Sequence, residues 1–175
     1  VSVQKGFGLP AGLAILIVSP RALEKSAALK NQGRFTGGYR DFLSMQTLGR
    51  QLQTFETPNV LNIYLLNCVL RDMLDTGIKT IRRETEQKHN ELEKLISEHP
   101  KLSYFVKSPS ARSKTVNVVQ VAGGSASLVA RLKGEGFEVG SGYGKQKDET
   151  IRITNFPAHS LEDMRKLITV IRQEI

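Results

Sequence analysis

Tryptophan is absent from this chain, and aromatic residues make up only 6% of it, so aliphatic side chains have to fill any core. Cys68 is the single cysteine, which excludes an intrachain disulfide and suits a reducing compartment such as the cytoplasm. The longest uninterrupted apolar run, Leu13 to Val18, is far shorter than the ~20 residues that span a bilayer, so no membrane segment is expected. His89, His99 and His159 lack both cysteine partners and metal-ligand spacing, so no metal site is expected. No Met opens the chain and no leader pattern follows Val1, so the sequence reads as a piece of a longer protein.

What is present points to a folded protein. The 39% hydrophobic content supports a packed core, and 175 residues suit one medium domain or one small domain plus part of another. The net charge of +8 raises the class of small basic domains that bind nucleic acid or a partner protein. The cations are dispersed, however. Arg82 and Arg83 lie beside Glu84 and Glu86, and Lys145 and Lys147 beside Asp148 and Glu149. That pattern reads as a solvated surface, so no nucleic-acid partner is expected.

Leu13 to Val18 reads as a strand buried on both faces. Ser19-Pro20 then opens a helix to about Lys30, with Ser as cap and Pro at the first helical position. Residues 31–55 read as a long connection with local structure around Tyr39 to Leu48, and a loop of that length is functional or interfacial. Thr57-Pro58 starts a helix that is apolar around most of its circumference, which predicts burial on several sides and an inert, buried Cys68. Gly77 breaks it. A second long helix runs to about Glu98, with Ile78, Ile81, Leu92, Leu95 and Ile96 on a narrower stripe. Strands follow at Leu102 to Val106, Thr115 to Val121 (alternating through Val116, Val118 and Val119 or Val121), Phe137 to Val139 and Ile151 to Thr154. One helix, capped by Ser125 or Ser127, precedes Gly134. A last helix opens on Ser160-Leu161-Glu162-Asp163, a capping-box pattern. The order β-β-α-β-β-α from residue 101 predicts a sheet covered on one side by helices.

Four stretches could carry chemistry. In Gln4-Lys5-Gly6-Phe7-Gly8-Leu9-Pro10-Ala11-Gly12, one lysine stands before a glycine-rich turn that lets backbone approach a ligand closely. An amine held at a strand end and partly desolvated is less firmly protonated, and so a better nucleophile. Glu56-Thr57-Pro58 is a helix start and hence a candidate anion site. Arg152, between Ile151 and Ile153, points away from both in an alternating strand, and its planar fork suits a carboxylate. Gly140-Ser141-Gly142-Tyr143-Gly144-Lys145-Gln146-Lys147 is a glycine-rich loop without the usual phosphate-cradle spacing.

These stretches, in this order, resemble class V (fold type I) pyridoxal-phosphate aminotransferases, most closely the phosphoserine aminotransferase branch. The resemblance implies an α/β fold: residues 1–76 as the C-terminal part of the cofactor-binding large domain with a dimer-contact segment, 77–100 as a bridging helix, and 101–175 as a small α+β domain. It implies pyridoxal 5'-phosphate as cofactor and Lys5 as covalent anchor and general acid/base. It also implies Gln4 as a cofactor-phosphate contact, Thr57 as a phosphate contact reaching into the other subunit of a homodimer, and Arg152 as the clamp on the substrate's α-carboxylate. Glu56 stands where the family has Asn, and a carboxylate beside a phosphate is unfavourable unless it points away. Lys145-Gln146 stand where a His-Arg pair binds the substrate phosphate, leaving Lys145 as a point charge. The implied reaction is amino transfer between phosphoserine and 2-oxoglutarate. Transfer from alanine or serine to glyoxylate or pyruvate is the alternative that the Lys145-Gln146 departure favours. Cysteine desulfurases share the fold but need a reactive cysteine on a mobile loop, and typically carry His where Gln4 stands. The family's main phosphate loop, ring-stacking aromatic and pyridine-pairing Asp belong to a preceding half, so these residues by themselves are expected not to transaminate.

Overall fold

A computed structural model describes residues 1–174. The chain divides into two compact units. The first comprises Val1–Gln4 and Leu9–Asn67; the second comprises Lys5–Gly8 and the residues from Cys68 onward. Among the described residues, no helix is long and apolar enough to cross a membrane.

The first unit is built on short helices. α1 (Pro20–Asn31) begins as its sequence predicts: Ser19 Oγ accepts from the Ala22 N–H at 3.2 Å, and Pro20 occupies the first turn. α2 (Phe42–Arg50) supplies the local structure within the 31–55 connection. Its cap is Asp41, which accepts from the Ser44 N–H and hydroxyl and lies 3.6 Å from Lys30 Nζ on α1. The Ser44 hydroxyl holds the Asp41 carboxyl below the ordinary aspartate range.

Two expectations, one in this unit and one on the helix that begins in it and ends in the second, fail for one reason. Leu13 to Val18 is not a buried strand. Its only ladder contact among the described residues is a single bridge between Ser2 and Ala14, and Leu16 and Ile17 are 58% and 88% exposed. A strand is buried on both faces only when neighbours flank it, and the unit supplies one short neighbour. α3 (Val60–Thr76) likewise leaves Val60, Leu61, Ile63, Tyr64 and Leu74 exposed, and Asn62 is its only buried residue. Cys68 is half-buried rather than buried. The apolar pattern of α3 thus specifies a face that needs cover, which these residues do not provide. The helix also starts later than Thr57-Pro58, because Asn59 is the cap: its Oδ1 accepts from the Asn62 N–H at 3.1 Å. Asn62 Nδ2 in turn donates to the carbonyls of Pro10 and Ala11, at 3.0 and 3.1 Å, and anchors the glycine-rich segment.

The second unit has its own core. Its sheet runs β1-β2-β4-β3 and is antiparallel throughout: β1 (Leu102–Tyr104), β2 (Val116–Val121), β4 (Thr150–Thr154) and β3 (Gly140–Ser141). α4 (Ile78–Glu98), α5 (Ala126–Gly134) and α6 (Leu161–Glu174) supply the helical layer. Leu92, Leu95 and Ile96 of α4 meet Val119, Val121, Ile151 and Ile153 from the strands and Met164, Leu167 and Ile171 from α6. The inward series on β2 is Asn117, Val119 and Val121, so Val116 and Val118 take the other face. Phe137 to Val139 is not a strand. Gly136, at φ 83°, lets the Phe137 N–H donate to the Leu132 carbonyl, so Phe137 belongs to the C-terminal cap of α5. Pairing with β4 begins only at Gly140.

The capping box at α6 is present. Ser160 Oγ accepts from the Asp163 N–H at 3.0 Å, and Asp163 Oδ2 accepts from the Ser160 N–H at 3.3 Å. Ser160→Ala is expected to cost about 1 kcal/mol, read by calorimetry as a melting temperature lower by about 2–4 °C. An unchanged melting temperature would show that the box contributes nothing.

Candidate active site

The backbone at Lys5 is held from both sides. Before it, Val3 is fully buried and its N–H donates to the Leu13 carbonyl at 3.3 Å. After it, the Gly8 N–H donates to the Lys5 carbonyl at 2.9 Å and closes a turn. Gly8 sits at φ 66°, a left-handed conformation that strains any side chain, and a Cβ there would lie 3.5 Å from Ala158 Cβ. Lys5 as a residue is exposed, where partial desolvation was expected. The chain fixes where the lysine starts, while nothing among these residues closes over its end.

Arg152 is held by its surroundings in the second unit. It lies on β4 opposite Val118 and Gly140, while its neighbours Ile151 and Ile153 point into the core. Its Nε donates to the Ser141 carbonyl at 2.7 Å, and its guanidinium carbon lies 4.1 Å from the centre of the Tyr143 ring. Gly140 makes room for it, since a Cβ there would come within 2.9 Å of Nη2. Neither Nη hydrogen-bonds a described residue. The edge of the fork that meets a carboxylate is therefore available, with its orientation set by a backbone carbonyl and a ring face.

Lys5 and Arg152 line one cavity of about 410 Å³ within the second unit, together with Tyr143, His159, Glu138 and Asp163. The Ser160 hydroxyl, as its partner in the capping box, holds the Asp163 carboxyl below the ordinary aspartate range. The other expected residues are not brought to this cavity. Gln4 is exposed. Glu56 and Thr57 are exposed ahead of α3, where the Glu56 carbonyl accepts from the Thr54 hydroxyl. Lys145 is exposed on the short 3-10 turn Gly144–Gln146 and is not among the residues that line the cavity. That turn is tied down by Thr150 Oγ1, which donates to the Gln146 carbonyl at 2.9 Å. Gly142 beneath it tolerates no side chain: a Cβ would lie 2.2 Å from Thr150 Oγ1 and 2.3 Å from the Gln146 carbonyl oxygen.

One residue of the cavity wall, and a second that holds the turn carrying it, were not expected. His159 enters the cavity wall from the turn between β4 and α6. Lys88, buried on α4, donates to the carbonyls of Phe156 and His159. The signal for Lys88 was present in the sequence, because it occupies a position on the apolar stripe through Ile81, Leu92 and Leu95.

The profile of the family Aminotransferase class-V matches residues 1–160. The chain belongs to the class V aminotransferases. A phosphoserine aminotransferase of Cytophaga hutchinsonii superposes with a TM-score of 0.94 at 40% identity, covering 99% of this chain and 48% of that one. The phosphoserine aminotransferase of Rhodococcus opacus is 29% identical over 171 residues, 94% of this chain and 45% of the relative. An alanine–glyoxylate aminotransferase of Nostoc sp. superposes with a TM-score of 0.77 at 24% identity, a likeness of fold. The chain thus spans about half the length of the relatives it matches, and its fold is the α/β fold type I architecture.

Pyridoxal 5'-phosphate is the cofactor of this family. The residues present fit its reactive end: an accessible primary amine on a cavity wall can capture an aldehyde, and a guanidinium on the same wall can bind the acid that reacts there.

Proposed function

We propose that the protein of which this chain forms part is a phosphoserine:2-oxoglutarate aminotransferase of serine biosynthesis, working as a cytoplasmic homodimer. The observation that carries the reading is the shared cavity of Lys5 and Arg152. The 40% identity to the Cytophaga phosphoserine aminotransferase supports the choice of amino donor. Residues 1–76 would complete the large domain, 77–100 bridge to the small domain, and 101–175 form it.

When bound, pyridoxal phosphate supplies the electron sink that weakens the substrate's Cα–H bond. The rest is done by side chains. Arg152 binds the α-carboxylate through its free Nη edge, and the Ser141 carbonyl and Tyr143 ring prevent the fork from swinging away. Binding the carboxylate at a fixed place orients Cα, which converts the proton transfer into a step between pre-positioned groups. Lys5 would anchor the cofactor covalently through its Nζ, and the same amine, when free, would move the proton at the substrate's Cα. Gln4 and, from the other subunit, Thr57 would hold the cofactor phosphate by hydrogen bonds. Glu56 would be unfavourable beside that phosphate unless its carboxylate points away.

Steady-state rates of the full-length enzyme with phosphoserine, serine and alanine, each against 2-oxoglutarate, glyoxylate and pyruvate, test the assignment. Phosphoserine with 2-oxoglutarate is expected to give the highest kcat/KM. Equal rates on serine and phosphoserine would remove it. The second reading, an alanine– or serine–glyoxylate or –pyruvate aminotransferase, is favoured by the position of Lys145 outside the cavity and by Gln146 in place of a cation.

A further inference from the structure

We propose that Lys88 is a positioning residue for the Arg152 cavity, acting through the Phe156–His159 turn, and that the imidazole it places there is a second contact for an anionic amino-acid substrate. The substrate half of this rests on the transaminase reading; the positioning half does not.

Lys88 is 2% exposed. Burial disfavours an ammonium, and it pushes the Lys88 amine below the ordinary lysine range while the Glu84 carboxylate opposes the shift. A Leu or Met at this point of the apolar stripe would fill the space without that cost. What the lysine does instead is bind backbone. Its Nζ donates to the Phe156 carbonyl at 3.0 Å and to the His159 carbonyl at 2.5 Å. The His159 N–H also donates to the Phe156 carbonyl at 3.0 Å, so both ends of the turn converge on one ammonium. A second buried tether lies just upstream: Asn155 Nδ2 donates to the carbonyls of Thr85 and Lys114, at 2.8 and 2.9 Å.

The held turn presents a ring of defined tautomer. His159 Nδ1 lies 3.2 Å from the Thr154 carbonyl, and the ring stacks on Phe156 with centroids 6.0 Å apart. A carbonyl only accepts, so Nδ1 carries the hydrogen. Nε2 is then the nitrogen left for a ligand, and it has no hydrogen bond to any described residue. His159 shares its cavity with Arg152 and Lys5. Once Arg152 holds an α-carboxylate, Nε2 has a role toward the distal end of the same molecule. Neutral, it accepts from the hydroxyl of a monoprotonated phosphate; protonated, it donates to a carboxylate or a phosphate dianion. The ligand class is an α-amino acid with an acidic distal group.

The test uses the full-length enzyme, its Lys88→Met and His159→Gln variants, and the double variant. Each single change is expected to raise KM for phosphoserine about tenfold, the loss of one charge-assisted hydrogen bond, with kcat nearly unchanged. The double variant is expected to be no worse than His159→Gln alone, because two residues acting through one contact are not additive. Long-range nitrogen–proton spectra of the histidine rings give a readout independent of turnover: His159 shows the Nδ1–H pattern in the parent and an averaged pattern in Lys88→Met. Effects on KM that multiply in the double variant overturn the proposal. So does a Lys88→Met protein that melts lower but keeps both KM and the His159 pattern. A parent enzyme that does not transaminate overturns the functional reading, while the ring spectra still decide the positioning role. Lys88→Gln, which keeps a donor, replaces Lys88→Met if the latter does not fold.

Discussion

Arg152→Gln in the full-length enzyme is expected to lower kcat/KM for the amino donor by about 30-fold to several-thousand-fold, the equivalent of about 2–5 kcal/mol for truncating one partner of a desolvated charge pair. Most of the loss should appear in KM, since the carboxylate is bound before and during proton transfer alike. Glutamine keeps the length and one donor but removes the charge and the paired Nη edge. Arg152→Lys separates the two: it restores charge without the fork, and it loses the stacking on Tyr143 and the Nε bond to the Ser141 carbonyl. A large residual defect in Arg152→Lys is therefore expected. An arginine variant with unaltered kinetics for every donor would remove Arg152 from the site.

The second large effect is at Lys5. Lys5→Ala is expected to abolish measurable turnover. Loss of positioned proton transfer alone accounts for about 10²–10⁴-fold, and loss of the covalent route adds to it. Protein-level capture separates this from a folding defect. Borohydride reduction in the presence of pyridoxal phosphate should label the tryptic peptide containing Lys5 in the parent, and leave that peptide unlabelled in Lys5→Ala. Equal labelling of a different lysine in both proteins would reject the assignment. The specificity of the label then reports where the cofactor is held.

How far residues could be read before any geometry depended on whether a segment carries its own cover. The second unit contains a complete core, so each of its patterns refers to a neighbour also present: Ile151 and Ile153 alternate with Arg152 and do enclose a shared interior, and Ser160 with Asp163 caps the helix they predict. Leu13 to Val18 and α3 carry equally clear apolar patterns, but a pattern states only a demand for burial. These residues leave that demand open. Phe137 misled in a different way, because β propensity cannot foresee that Gly136 turns it into a helix cap. At the site, Lys5 and Arg152 were legible because each is a reactive group in a constrained local setting. Lys88 was hidden by the assumption that a lysine on a helix faces solvent, and His159 by its place in a turn whose path is set by hydrogen bonds from α4.

The crowding beneath Gly142 bears on how the 140–150 hairpin could vary. A Cβ at that position would collide both with a side chain and with the Gln146 backbone, so no single compensating replacement relieves it. Glycine at 142 is consequently required by the hairpin path, whereas the exposed Lys145 on the same turn carries no such restriction. A side chain at position 142 would therefore be admitted only together with a different path for the whole 140–150 hairpin.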